Sequence, residues 1–449
     1  MLQTLRNAWK VEEIRKKIIF MLFIVLLYRL GNAVTVPYID TALLRDYFSS
    51  NSGSMLGLLN TMSGSALERA SIFGLSIQPY INASIIIQLL TIAIPALERI
   101  QKEGGEEGKK KMERVTRYAA IAIGVLQGYG YYVLIQNGSN GQTFLAANGA
   151  GLMPAIIIIA SFVAGSTLLM WMGEQITEFG IGNGVSIILF VSIVSRFPQQ
   201  IFNLIQRVIT NPTAEQIQAS PNLEHYHIAW YAAVLMLIGA LAIMVLIVLV
   251  TNSERRIPIQ YSKRVVGRKM YGGQSTHLPM KVNMSGVMPV IFAQTIASIP
   301  ATIAAFNPRW NNPEHWTNTW FGQTSWLYMI VYFLLIVFFS YFYSTIQFNP
   351  IEIANNLKKN GGFIPGFRAG RPTSEFIQRV LTKITLFGAL YLAVIAIAPI
   401  MIGHFSPAAA NSGISVGGTS IIIVISVALE TMKQLESQML MRHYKGFLE

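Results

Sequence analysis

The sequence predicts an all-α polytopic membrane protein that crosses the bilayer ten times. Three observations carry this. Hydrophobic residues make up 52% of the 449-residue chain and charged residues only 12%, about half the roughly 25% charged share of soluble proteins. Apolar runs of about 18 residues or more, the length a helix needs to span hydrocarbon, recur along the chain. And 28 of the 34 Lys and Arg residues fall in alternate connecting segments, which makes that face, and both termini, cytoplasmic by the positive-inside rule.

The first run, 18–36, carries Arg29 inside it; an arginine there costs roughly 2.5–3.5 kcal/mol on the insertion scale, so a structural role, snorkelling or facing protein, is expected. It is longer than a signal-peptide core and lacks a clean cleavage site, so no cleavable signal is expected. The second run is 76–95, the third 116–136, the fourth 152–173. The fifth, 184–204, is weak, with Arg196 near its far end. The sixth, 228–250, is the cleanest. The remaining four are 284–305, 325–346, 378–402 and 417–435. The segment 307–326 holds Trp310, Trp316, Trp320 and Trp326, suited to an interfacial belt.

Ahead of the second run stands "TMSGSALERASIFGLSIQ", residues 61–78. It is too polar to cross a bilayer and too apolar for an ordinary loop. Irregular backbone at membrane depth survives only when buried in protein or lining a water-filled cavity. Ser63–Gly64–Ser65 is expected to start a short helix and Gly74 to end it, with Leu67, Ala70, Ile72 and Phe73 closing a pathway while Glu68 and Arg69 stay wet or pair. The segment reads as a stopper rather than a span.

Two basic cytoplasmic loops are longer and more patterned than topology requires. In 252–283, Ile257, Ile259 and Tyr261 alternate with polar neighbours, the period of a strand, and Gly267 and Gly272–Gly273 supply turns. The loop over 357–373 is rich in Gly, Pro and Arg. Both read as docking surfaces.

Catalytic chemistry is not expected. There are no cysteines, no P-loop sequence and no H-E-x-x-H. "GIGNG" (180–184) has no strand before it and reads as a turn, and His225 and His227 read as solvated. Carboxylates within the runs are nearly absent, which argues against an ion-coupled carrier and against paired-aspartate proteolysis. No enzyme activity, cofactor or metal is expected, and the broken segment reads as the stopper of a pathway. Rival readings are a secondary transporter with a broken-helix site and a scaffold or insertase without a continuous pore.

Seven collinear segments resemble the SecY family of bacterial protein-translocation channels: "YRLGNAVTVPYID" (28–40), "SGSALERASIFGLSIQPYINASIIIQLL" (63–90), "GEQITEFGIGNGVSII" (173–188), "RRIPIQYSKR" (255–264), "GGQSTHLPMKVNMSGVMPVIFA" (272–293), "GGFIPGFRAGRPT" (361–373) and "GGTSIIIVI" (417–425). The resemblance implies two pseudo-symmetric inverted five-helix halves, 1–205 with the first five spans and 206–449 with the rest and the cytoplasmic loops 252–283 and 349–376. It implies a re-entrant plug over about 55–73, with Leu58, Leu59, Met62, Leu67, Glu68, Arg69, Ile72 and Phe73. A pore ring falls on Ile81, Ile85, Leu189, Ile193, Ile291 and Ile423, and a lateral gate on Ser84, Gln88, Gln294 and Ser298. An apolar ring stops ions by dewetting and tolerates any passing side chain; Ile81 and Ile85, like Leu189 and Ile193, are four apart and share a helix face.

Docking of a SecA motor or a ribosome would use Arg255, Arg256, Lys263, Arg264, Arg268, Arg368 and Arg371. SecE and SecG are the implied partner subunits, preproteins with signal sequences the implied substrates, and membrane lipids the receiving phase. The implied location is the bacterial cytoplasmic membrane. Two departures stand out: Ala369 where many members have proline, and Phe179 where a basic residue is common.

Overall fold

The computed structural model describes residues 6, 8–50, 60, 62–138, 143–149, 151–209, 230–261, 264–266, 269–271, 275–306, 320, 325–405 and 417–445. Each of the ten expected spans overlaps helix among the described residues. In chain order the helices are α1 (Glu12–Gly31), α2 (Thr41–Ser50), α3 (Gln78–Ala93), α4 (Pro95–Glu103), α5 (Gly105–Asn137), α6 (Leu152–Phe179), α7 (Gly184–Val194) and α8 (Phe197–Ile209). There follow α9 (Trp230–Asn252), α10 (Met288–Phe306), α11 (Trp326–Gln347), α12 (Pro350–Lys359), α13 (Arg371–Phe405) and α14 (Gly417–Lys445). Among the described residues, six helical runs are long and apolar enough to cross a membrane by themselves: α5, α6, α7 with α8, α9, α11 with α12, and α13. The others fall short for local reasons. Helix α1 opens on the charged EEIRKK, α3 has 16 residues, and α10 carries Pro300.

The first span ends earlier than the apolar run does. Helix α1 stops at Gly31, and Val34–Val36 pair with the broken segment ahead of α3: Val36 N–H donates to Ala70 O at 2.8 Å and Ile72 N–H to Val34 O at 3.0 Å. Two backbone hydrogen bonds thus replace a last helical turn. Arg29 sits in the final turn of α1 with an exposed side chain. The "GIGNG" turn is a turn, and Asn183 caps α7 by accepting from Val185 and Ser186 N–H, satisfying donors that a helix start leaves orphaned. The fifth span breaks at Ser195–Arg196, between α7 and α8. Phe179 is half exposed and meets Phe20 of α1 edge-on, centroids 6.0 Å apart.

The chain forms two compact units, one of Met1–Ala233, Ser298–Tyr328 and Ile400–Glu449, the other of Val234–Ala297 and Met329–Pro399. In the first, α5 packs on α3 and α6, α6 on α1 and α7, and α7 on α14. One apolar cluster joins Val36, Leu44, Phe48, Leu67, Ala70, Tyr131, Ile135, Phe144, Ile158 and Phe162. A second, smaller one seats the start of α1 against the far end of α14 through Ala8, Ile14, Ile181 and Leu435.

The second unit holds the feature that alternation predicted. Strands β1 (Glu254–Tyr261) and β4 (Ser275–Lys281) pair antiparallel, with Ile257 opposite Leu278 and Ile259 opposite Thr276. The short β2 (Arg264–Val266) and β3 (Lys269–Tyr271) form a separate antiparallel pair. The other loop contributes β5 (Gly362–Phe363) to the free edge of β1, giving the order β4–β1–β5. The two loops that read as separate are therefore one small sheet. Ile257, Ile259, Met280, Leu357, Ile364, Ile377 and Leu381 bury one common core beneath it. Gly388 of α13 lies so close to the Val282 carbonyl that a β-carbon there would stand 2.6 Å from it.

Candidate functional site

The stopper segment is built differently from its sequence reading. Asn60 and Met62 are helical, and residues 63–70 run as turns and a bend, with no helix after Gly64. The reason is conformational: Gly64, Ser65, Ala70 and Ser76 have φ of 69°, 68°, 44° and 53°. A non-glycine residue in the left-handed region costs roughly 1–2 kcal/mol, so the surroundings must hold these residues there. Leu58 and Leu59 lie outside the described residues.

The surroundings do so with hydrogen bonds and close backbone approach. Tyr28 of α1 donates its hydroxyl to Ser63 O at 3.2 Å and lies 2.6 Å from Ser192 Oγ of α7. Tyr131 of α5 donates to Leu67 O at 2.6 Å. Ser71 Oγ donates to Gly31 O at 3.1 Å. Ser63 O is thereby satisfied, a carbonyl that irregular buried backbone would otherwise strand at a cost of several kcal/mol in hydrocarbon; Leu67 O and Gly31 O also accept from Ala70 N–H and Val34 N–H. Two glycines make the approach possible. A β-carbon at Gly31 would overlap the Phe73 ring, and one at Gly165 of α6 would overlap the Ile72 carbonyl. Phe73 stacks on Tyr28, centroids 5.8 Å apart and planes 20° apart. Met62, Leu67 and Phe73 are buried, Ile72 packs against the first cluster, Glu68 is partly buried and Arg69 is exposed.

Glu68 is paired. Asn60 Nδ2 donates to its Oε2 at 2.6 Å, its own N–H donates to Asn60 Oδ1 at 3.1 Å, and Arg196 Nη2 lies 4.0 Å from the same Oε2.

Ile81, Ile85, Leu189, Ile193, Ile291 and Ile423 are all buried in protein. Ile81 and Ile85 are on α3, Leu189 and Ile193 one turn apart on α7, and α14, which carries Ile423, packs along α7. Ile291, on α10, belongs to the second unit. Ser84 and Gln88 share one face of α3, Gln88 Nε2 donating to Ser84 Oγ at 3.4 Å. Gln294 and Ser298, one turn apart on α10, are both buried.

Of the basic residues, Arg255 and Arg256 lie exposed on β1, and Arg256 pairs with Glu254 at 2.7 Å. Arg264 begins β2, while Lys263 and Arg268 lie outside the described residues. Arg368 is exposed, and its carbonyl accepts from Thr373 Oγ1 at 2.7 Å, which anchors the bend ahead of α13. Arg371 pairs with Glu375 one turn on at 3.0 Å.

The sequence reading missed Tyr28, Asn60, Tyr131 and Ser192, took Ser63 only as a helix start, and noticed Arg196 only as a blemish on a weak span. The available signal was a hydroxyl or amide inside an apolar run, a residue type that finds a partner when buried.

The fold and this site define a class: a multi-span helical membrane protein whose interior seats a broken segment. The family model described as SecY matches residues 71–432. The SecY subunit of the protein translocase of Streptomyces scabiei is 41% identical over 456 residues, covering 100% of both chains. Among solved structures, one titled "The structure of a protein conducting channel" aligns with a TM-score of 0.63 at 17% identity, covering 94% of this chain and 92% of that one. Sec61 in the canine ribosome–channel complex from the endoplasmic reticulum aligns with a TM-score of 0.59 at 16% identity, covering 94% and 92%. The chain belongs to the SecY family.

Proposed function

We propose that the chain is a passive protein-conducting channel. It passes unfolded preproteins across the bacterial cytoplasmic membrane and releases apolar segments sideways into lipid. The observation that carries this is the non-helical segment 63–77, seated among helices α1, α5, α6 and α7 by hydrogen bonds and glycine contacts. Backbone of that kind belongs where a cavity or pathway exists, not in a solid bundle.

In this reading the ten spans form inverted halves, 1–205 and 206–449, with both termini cytoplasmic. The charge asymmetry supports that orientation. Ile81, Ile85, Leu189, Ile193, Ile291 and Ile423 form the ion-excluding ring, and their burial supports it. Ser84, Gln88, Gln294 and Ser298 line the lateral gate through which signal sequences reach lipid. The loop 252–283 with Arg255, Arg256, Lys263, Arg264 and Arg268, and the bend with Arg368 and Arg371, dock a SecA motor or a ribosome. Sec61, a structural neighbour, is a ribosome-bound channel. SecE and SecG complete the complex. The chain is no enzyme, and its energy comes from the bound motor, the translating ribosome or the membrane potential.

The test is electrical. Deleting residues 57–69, or changing Ile85 and Ile193 together to glycine, makes the reconstituted full-length channel conduct ions at rest, measured in planar bilayers. Unchanged membrane resistance with both variants overturns the stopper and the ring.

A further inference from the structure

We propose that Glu68 is a positioning residue that latches the stopper shut. The inference rests on the channel reading. The latch joins three elements through one carboxylate oxygen: Oε2 accepts from Asn60 Nδ2 at 2.6 Å and lies 4.0 Å from Arg196 Nη2 at the break between α7 and α8.

The stopper is tied on both sides of Ser65, and on the near side Tyr28 holds Ser63 O. On the far side of Ser65 it is fixed by backbone: Val34 and Val36 pair with Ile72 and Ala70, and Tyr131 holds Leu67 O. Gly64 and Ser65, both left-handed, form the turn between that fixed part and Asn60. Gly64 lies directly against α7, where a β-carbon would stand 3.0 Å from Ser192 O. Across the turn run Ser65 N–H to Asn60 O at 3.0 Å, Ser63 Oγ to the same carbonyl at 2.9 Å, and the two-point clasp between the Asn60 amide and Glu68. The first two move with the turn. The clasp closes it, and Arg196 pulls the clasp toward the wall.

The side chains of Arg196 and Glu68 are 23% and 18% exposed. Water therefore reaches both, and the ion pair alone is worth little. That suits a latch: the charge-assisted hydrogen bond from Asn60 supplies the larger share, and neither ion is stranded in a dry interior when the contact opens. Arg69, exposed beside it, is the other cation of the segment.

The clasp can be inverted chemically. Asn60→Asp sets two carboxylates face to face and breaks it. Adding Glu68→Gln restores it with donor and acceptor exchanged, because the amide introduced at 68 donates to the carboxylate introduced at 60, and the backbone N–H of residue 68 keeps its acceptor.

The experiment measures resting ion conductance of the purified full-length channel in planar bilayers, with the 57–69 deletion as reference. Asn60→Asp raises the conducting fraction about tenfold, the factor that losing one charge-assisted hydrogen bond implies. Glu68→Gln added to Asn60→Asp returns it toward the parent. Arg196→Gln raises it about twofold, as a long, partly hydrated pair allows, and adds nothing in a Glu68→Ala background. If the deletion conducts while Asn60→Asp stays sealed, or if the double variant leaks as the single one does, the latch is overturned and the channel reading stands. A sealed deletion overturns both.

Discussion

Two regions of this chain abandon the transmembrane helix, and they are held by opposite means. The sheet of β1, β4 and β5 is organised by apolar burial. Ile257 and Ile259 alternate inward onto Met280, Leu357, Ile364, Ile377 and Leu381, and most of their polar neighbours on the strand are exposed. The segment 63–77 is organised by hydroxyls and glycines: Tyr28, Tyr131 and Ser71 bond to carbonyls, Gly31 admits the Phe73 ring, and Gly165 admits the Ile72 backbone that any side chain would repel. The difference follows from solvent. Where a loop meets water, removing isoleucine from it is favourable and sufficient. Among membrane spans every neighbour is as greasy as the next, so position is fixed by hydrogen bonds and close packing.

That contrast can be broken by substitution. The largest effect is expected at Gly165→Val. Its β-carbon meets the Ile72 carbonyl, a backbone atom that cannot swing away, so the cost is about 3 kcal/mol or more. The measurement is the fraction of chain that remains monodisperse and thermally protected in detergent; a variant as stable as its parent removes close approach as the organising contact. Next comes Ile259→Ala. Truncating that buried side chain costs the sheet about 2–3 kcal/mol and speeds proteolysis within 252–283 while leaving resting conductance unchanged. Cleavage at the parental rate breaks the claim that apolar burial holds the sheet. The smallest effect belongs to Tyr131→Phe, which keeps the ring and deletes the bond to Leu67 O. About 1 kcal/mol is expected, read as faster amide hydrogen exchange over 66–71; exchange at the parental rate would assign that segment's order to packing alone.

The spans were legible because a 20-residue apolar requirement leaves little freedom, and the strand period of 254–261 survived into β1 for the same kind of reason. The partner of that strand was hidden. Gly362 and Phe363 pair with Tyr261 and Gln260 across about a hundred residues of chain, and a two-residue strand has no periodicity to read. The helix expected after Gly64 was a misreading of composition. "SALERASIF" has good helix formers, yet Ser65 and Ala70 are pinned left-handed by tertiary contacts, and propensity is a weak prior against those. The Asn60–Glu68 clasp spans eight residues with a turn between. No helical or strand spacing announces such a contact.

The crossing of β5 onto β1 has a mechanical meaning. Strand β1 continues from α9, β4 leads into α10, and β5 bridges α12 to α13. Whatever grips either of these loops therefore tugs on the feet of four helices together, because the ladder spreads the load as a yoke spreads it across a team.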